Sequence, residues 1–180
     1  MTLSAPLAVP FFTAAVVLGV AGVSKIRRPQ PAARALRAAR LPSGALTVRA
    51  MGLAEAAIAA LCLLAPSRPA AAALAAAYLA FAAFLASLIL ARVPMASCGC
   101  SGERDTPPRW IHVGLDLAGA GCAAAVALSR EPPVWIGRVA SGLPVAGLAF
   151  VVGIAALAGA SILCAAYLPE ALFAYRGRRP

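Results

Sequence analysis

Five stretches of this sequence are apolar for long enough to cross a bilayer, and that property decides what the chain can fold into. A hydrocarbon core about 30 Å thick needs roughly 20 apolar residues in a helix to span it. Inside it every backbone N–H and C=O must be satisfied by the segment itself, which selects helices unless the strands close into a barrel. Strand-like alternation of apolar and polar residues is missing from the chain, so the reading is an all-α, multi-pass helix bundle forming a single transmembrane domain over 1–180. The expected spans are 7–24, 45–64, 70–91, 110–128 and 143–168.

The composition agrees with membrane solvent. The sequence is 62% hydrophobic, with a mean hydropathy of +0.87, and 12% of residues are charged, about half the usual share for a soluble domain. A net charge of +10 raises nucleic acid as a partner. The basic residues nevertheless sit in short segments between the apolar runs and at the C-terminus, without aromatic interleaving. That pattern is one of membrane topology and not of nucleic-acid binding. The lipid bilayer is therefore the first partner.

The connectors have distinct characters. Residues 29–42 are basic, with Arg34, Arg37 and Arg40 at three-residue spacing among alanines, and read equally as a short surface helix or a solvated loop. The turn at 66–69 is tight and makes 45–64 and 70–91 a hairpin. Residues 92–109 form the one sizeable polar loop and hold Cys98-Gly99-Cys100. The basic residues concentrate in the first connector, this loop and the C-terminal tail, which favours N-terminus out, C-terminus in and the CGC loop on the cytoplasmic side. Tyr175, Tyr167, Trp135 and Trp110 fall near span ends, as interfacial aromatics do.

Cys98 and Cys100 are the sharpest chemical feature. Two thiols separated by one glycine, Gly99, can close a small strained disulfide ring that is readily reduced again, and Arg104 and Arg109 nearby favour the thiolate that attacks a disulfide. The bland alternative is a pair of reduced surface thiols. Cys62, Cys122 and Cys164 lie in or near spans, where a thiol most often serves as a small hydrophobe. Cys164 is set apart because it falls toward the same membrane face as the CGC pair and could shuttle a disulfide.

Three ionisable positions complete the candidates. Glu55 stands mid-span, where an ionised carboxylate must face the bundle and pair, or else be protonated; Lys25, Arg49 or a helix hydroxyl could be the partner. His112 and Asp116 are four residues apart and share a helix face. The imidazole could take a proton from a thiol with Asp116 orienting it, or the two could anchor the helix end. A soft-metal site for copper or zinc at the CGC pair is the rival chemistry, disfavoured by too few nearby ligands. A non-catalytic assembly factor or solute carrier, with Glu55 lining a polar cavity, is a third reading.

Gly22-Val23-Ser24-Lys25 ending the first span, the basic segment 32–41, Glu55, and Ser97-Cys98-Gly99-Cys100-Ser101-Gly102 together resemble the MauE/DoxX-type membrane proteins, over about 7–128. The resemblance implies a four-helix core with one additional C-terminal helix in the bacterial plasma membrane. It further implies thiol-disulfide redox work alongside a thioredoxin-like partner, since methylamine-utilisation members are associated with maturing a disulfide-rich periplasmic dehydrogenase. Lys25, Glu55, Cys98, Gly99 and Cys100 match the pattern. Ser101 departs from it, where a larger, often aromatic residue is expected, and so does Leu115, where a basic residue is common. A quinone electron acceptor is suggested by analogy with neighbouring families, though no residue demands it. Physiological substrate and oligomeric state are left open by the sequence.

Overall fold

The computed structural model describes residues 4–92, 109–129 and 152–163, and with them an all-helical bundle. Five helices follow in chain order: α1 (Ser4–Arg27), α2 (Gln30–Ala38), α3 (Ala45–Leu64), α4 (Arg68–Leu90) and α5 (Trp110–Leu128). A shorter apolar helix, α6 (Val152–Leu163), comes last. Helices α1, α3, α4 and α5 are long and apolar enough to span a membrane. Of the expected fifth span, α6 is the described part; the remainder of 143–168 lies outside the described residues, as does nearly all of the CGC loop.

Each helix starts and stops for a local reason. Ser67 accepts a hydrogen bond from the Ala70 N–H and so caps α4, with Pro69 in the first turn where its missing N–H costs nothing. Helix α1 begins earlier than the hydropathy alone predicts, which puts Pro10 inside it instead of in its first turn. The basic connector is a helix: α2 turns Ala32, Ala33 and Leu36 against Val48 and Phe84, while Arg34, Arg37 and Arg40 stay exposed. Its apolar face is thus covered by protein. The helix ends in paired bonds from Arg40 N–H to Arg37 O and Leu41 N–H to Leu36 O, with Arg40 in the left-handed region at φ 59°.

Small residues on facing stripes bring the spans together. On α3 the buried positions are Val48, Gly52, Glu55, Ala59 and Cys62, at alternating spacings of four and three that keep one seam toward α1. Gly22 and Gly52 meet at the crossing, where a Cβ on either would lie 2.6 Å from the other's carbonyl oxygen. The pairing is antiparallel: Gly19 of α1 lies against Ala59, further along α3 than the Gly22 contact. The opposite faces carry Leu46, Leu53, Leu64 and Leu128, all largely exposed and suited to lipid.

Helices α4 and α5 form the second close pair. Gly119 leaves room for the Tyr78 ring, which a Cβ there would approach at 3.2 Å, and the Tyr78 hydroxyl donates across the bundle to the Ala14 carbonyl at 2.8 Å. At the far end Arg68 donates to the Ser129 carbonyl through Nε, at 2.8 Å, and through Nη2. Around these contacts lies the core of Phe11, Phe12, Leu18, Leu74 and Ala123. Tyr78→Phe keeps the ring but removes this cross-bundle bond, the Ala14 carbonyl retaining its helical partner, so it is expected to lower stability by about 0.5–1.5 kcal/mol, read as a fall in Tm of the detergent-solubilised protein.

Candidate functional site

The alternation of these spans collects the polar residues at one end. The C-terminus of α1, all of α2, the start of α3, the end of α4 and the start of α5 lie together there, and in sequence the segment 93–108 with its Cys98-Gly99-Cys100 separates the last two. Cys98, Gly99 and Cys100 themselves lie outside the described residues, as does Cys164.

Lys25 and Glu55 are brought together by the Gly22–Gly52 crossing. Lys25 Nζ donates to Glu55 Oε2 at 2.6 Å, and both side chains are 7% exposed. Of the three partners open to Glu55, the structure selects Lys25. Arg49 is exposed, six residues earlier on α3 and so on another face. The ammonium also lies 4.8 Å from the centre of the Phe81 ring, whose negative face receives it. Glu55 is ten residues into α3, about 15 Å of helical rise, so the pair is held well inside the span.

His112 opens α5. Its Nδ1 accepts a hydrogen bond from the Arg109 N–H at 3.2 Å, satisfying a donor that the helix start leaves without an intrahelical partner. His112 is therefore an anchor of the helix end, with its ring buried. Both it and Asp116, one turn on, line a partly open cavity of about 360 Å³ between α1, α4, α5 and α6. Lys25 reaches the same wall from α1. The two candidate groups from sequence, Lys25 with Glu55 and His112 with Asp116, thus converge on one cavity, although Glu55 stays behind Lys25 and is not part of the lining.

The remaining cysteines separate by position. Cys62 is fully buried at the opposite end of the bundle and donates to the Ala70 carbonyl at 3.4 Å, the behaviour of a small core residue. Cys122 lines the cavity midway along α5. Among the described residues no cluster of three or more His, Cys, Asp or Glu side chains could hold a metal ion.

Residues that the sequence reasoning passed over prove central here. Phe81, Tyr78 and Thr13 line the cavity, yet each reads in sequence as one more apolar or small residue in an apolar helix. The signal that could have found Phe81 is its place one turn beyond Tyr78 on the buried side of α4.

Comparison with known proteins identifies one family: the model described as methylamine utilisation protein MauE matches residues 3–129. The match runs from the first turn of α1 to the end of α5 and takes in every site residue above except Cys164. No curated protein matches the chain, and neither does any solved structure.

Proposed function

The chain belongs to the MauE family, and on that premise we propose that it is a multi-pass membrane protein performing thiol-disulfide exchange through Cys98 and Cys100 in the maturation of a partner protein. The observation that carries this reading is the Cys98-Gly99-Cys100 motif: it falls within the family match, in the polar segment joining two membrane spans, next to the helix start that carries His112.

In the oxidising direction a thiolate of the partner attacks the Cys98–Cys100 disulfide and forms a mixed disulfide, releasing one cysteine of the pair as thiolate. The partner's second thiolate then attacks the mixed disulfide and leaves the partner oxidised. Two electrons and two protons have moved from the partner to the CGC pair. A thioredoxin-like protein or a lipid-soluble quinone is the class of acceptor that returns the pair to the disulfide. His112, whose Nδ1 accepts from the Arg109 N–H, carries its ring hydrogen on Nε2 and is a hydrogen-bond donor from that atom. Lys25 and Glu55 hold α1 and α3 in register beside it. The excess of arginine at this end of the bundle favours the cytoplasmic side for the motif.

Mass-tagged maleimide applied to membranes before and after mild reduction tests the proposal in a variant with Cys62, Cys122 and Cys164 replaced by alanine. Two tags are expected to appear on reduction and none before it, and Cys98→Ser or Cys100→Ser is expected to abolish partner maturation. Two freely reactive thiols under every redox condition, or full maturation in either serine variant, would overturn it. An impermeant maleimide added to sealed vesicles of each orientation reads the side on which Cys98 lies.

A further inference from the structure

Residues 1–54 hold seven basic side chains and no acidic one. Lys25 is answered by Glu55. The other six, Arg27, Arg28, Arg34, Arg37, Arg40 and Arg49, are exposed at the end of the bundle where α1 stops and α3 starts. Helix α4 carries no acidic residue either, and Asp116 of α5 lines the cavity against an adjacent face of α1. Helices α1 to α4 thus supply no further carboxylate for these arginines.

Two of the six stand at the mouth of a groove. Val16, Val20, Val23 and Arg27 follow at spacings of four, three and four, one stripe of α1, and line an open groove of about 690 Å³ on its outer side. Arg28 joins Arg27 at the mouth, and Leu63, near the opposite end of antiparallel α3, lines the deep end. Val20 and Val23 are 51% and 39% exposed, so the stripe faces the hydrocarbon. Gly19 keeps the floor low: a Cβ there would lie 3.2 Å from Ala59 Cβ, and without one α3 closes up and the groove has no side chain at that point.

The dimensions match one leaflet. Val16 to Arg27 is eleven residues, about 16 Å of helical rise, close to half of a hydrocarbon core about 30 Å thick. The Gly22–Gly52 contact marks a common level; Arg27 is five residues beyond it on α1, and Ala45, where α3 begins, is seven residues beyond it on α3. The guanidinium therefore stands at the edge of the span, at the depth of lipid headgroups. Its planar fork matches phosphate oxygens and keeps its charge at any physiological pH. A zwitterionic headgroup brings a cation of its own among the arginines, whereas an anionic one does not. Free phosphate or an acidic peptide would leave the valines uncovered.

We infer that this groove holds one anionic phospholipid, its phosphate on Arg27 and Arg28 and one acyl chain along Val23, Val20 and Val16. The site is separate from the cavity that His112 and Asp116 line and draws nothing from Cys98 or Cys100, so it is independent of the exchange reaction proposed above.

The test uses the full chain in phosphatidylcholine nanodiscs doped with phosphatidylglycerol or phosphatidylcholine, each bearing a diazirine in the same acyl chain. The phosphatidylglycerol probe is expected to label peptides of α1 and of the C-terminal end of α3 more strongly, by about fivefold for each arginine. Arg27→Gln is expected to cut that preference about fivefold and Arg27→Gln/Arg28→Gln to remove it, with phosphatidylcholine labelling unchanged. Arg34→Gln/Arg37→Gln takes the same charge from the same end of the bundle but not from the groove, and is expected to keep the preference within about twofold of wild type. Val23→Phe, which fills the groove and spares both arginines, is expected to lower labelling at Leu63. Equal labelling by the two probes, or as large a loss in the α2 variant as in Arg27→Gln/Arg28→Gln, would overturn the proposal and leave ordinary boundary lipid. Labelling by neither probe would overturn it in favour of a protein occupant.

Discussion

Gly22→Ala is expected to destabilise the bundle by about 1–3 kcal/mol or more, although it adds a single methyl to an apolar helix. The reason is what that methyl would meet. Its carbon would lie 2.6 Å from the Gly52 carbonyl oxygen, 2.9 Å from the Ala56 nitrogen and 3.0 Å from Glu55 Cβ. Two of these atoms are backbone in the middle of α3 and cannot swing aside, so the helices must move apart. Elsewhere the same exchange should help, because alanine is favoured over glycine in a helix by about 1 kcal/mol. Gly114 and Gly121 on α5 provide that contrast, since nothing lies within 4 Å of a Cβ at either. Thermal unfolding in detergent should therefore give a lower Tm for Gly22→Ala and Gly52→Ala, and an equal or higher one for Gly114→Ala and Gly121→Ala. Four equal values would show that the α1–α3 crossing is not close.

The consequence reaches the site. Lys25 is less than one turn beyond Gly22, and Glu55 less than one turn beyond Gly52, so the close crossing is what carries an ammonium to 2.6 Å from a carboxylate. Widening the crossing by even 1 Å strains that contact. A loss of stability at Gly22 should thus be accompanied by a loss of the proposed activity in partner maturation.

Much of this was legible from residues. Hydropathy placed α3 and α5 at 45–64 and 110–128, because each is bounded by polar or turn-forming residues, and it cut α1 short because Arg27 and Ser4 lower the average without ending the helix. Glu55 announced itself as a mid-span carboxylate that needed a partner. Its choice of Lys25 was not legible, because helix geometry rules out Arg49 only once the buried seam of α3 is known. The glycine pair was equally hidden. In a chain this rich in alanine and glycine, small residues recur at helical spacing everywhere, and only the packing singles out two of them. The cavity was hidden for another reason: it depends on gaps between four helices, α1, α4, α5 and α6.

Removing one charge of the buried pair is expected to cost more than any other single change. Glu55→Leu removes the carboxylate bonded to the buried Lys25 ammonium inside a span, and Lys25→Met removes the ammonium bonded to the buried carboxylate; each is expected to lose about 3–5 kcal/mol. The double variant Lys25→Met/Glu55→Leu removes both desolvation costs together with their mutual attraction. It should be near wild type in stability, or more stable by about 1–4 kcal/mol, as buried pairs replaced by packed apolar residues often are. Phe81 sharpens the comparison, because in Glu55→Leu the ring still attracts the ammonium, worth about 0.5–2 kcal/mol. Reversible unfolding in bicelles measures all four members of the cycle, and single variants within about 1 kcal/mol of wild type would show that the pair is hydrated and not buried. The double variant also separates fold from function. A stable protein that no longer matures its partner would show that the ammonium acts on something in the cavity it lines, whereas a stable and active one would confine the pair to holding α1 against α3.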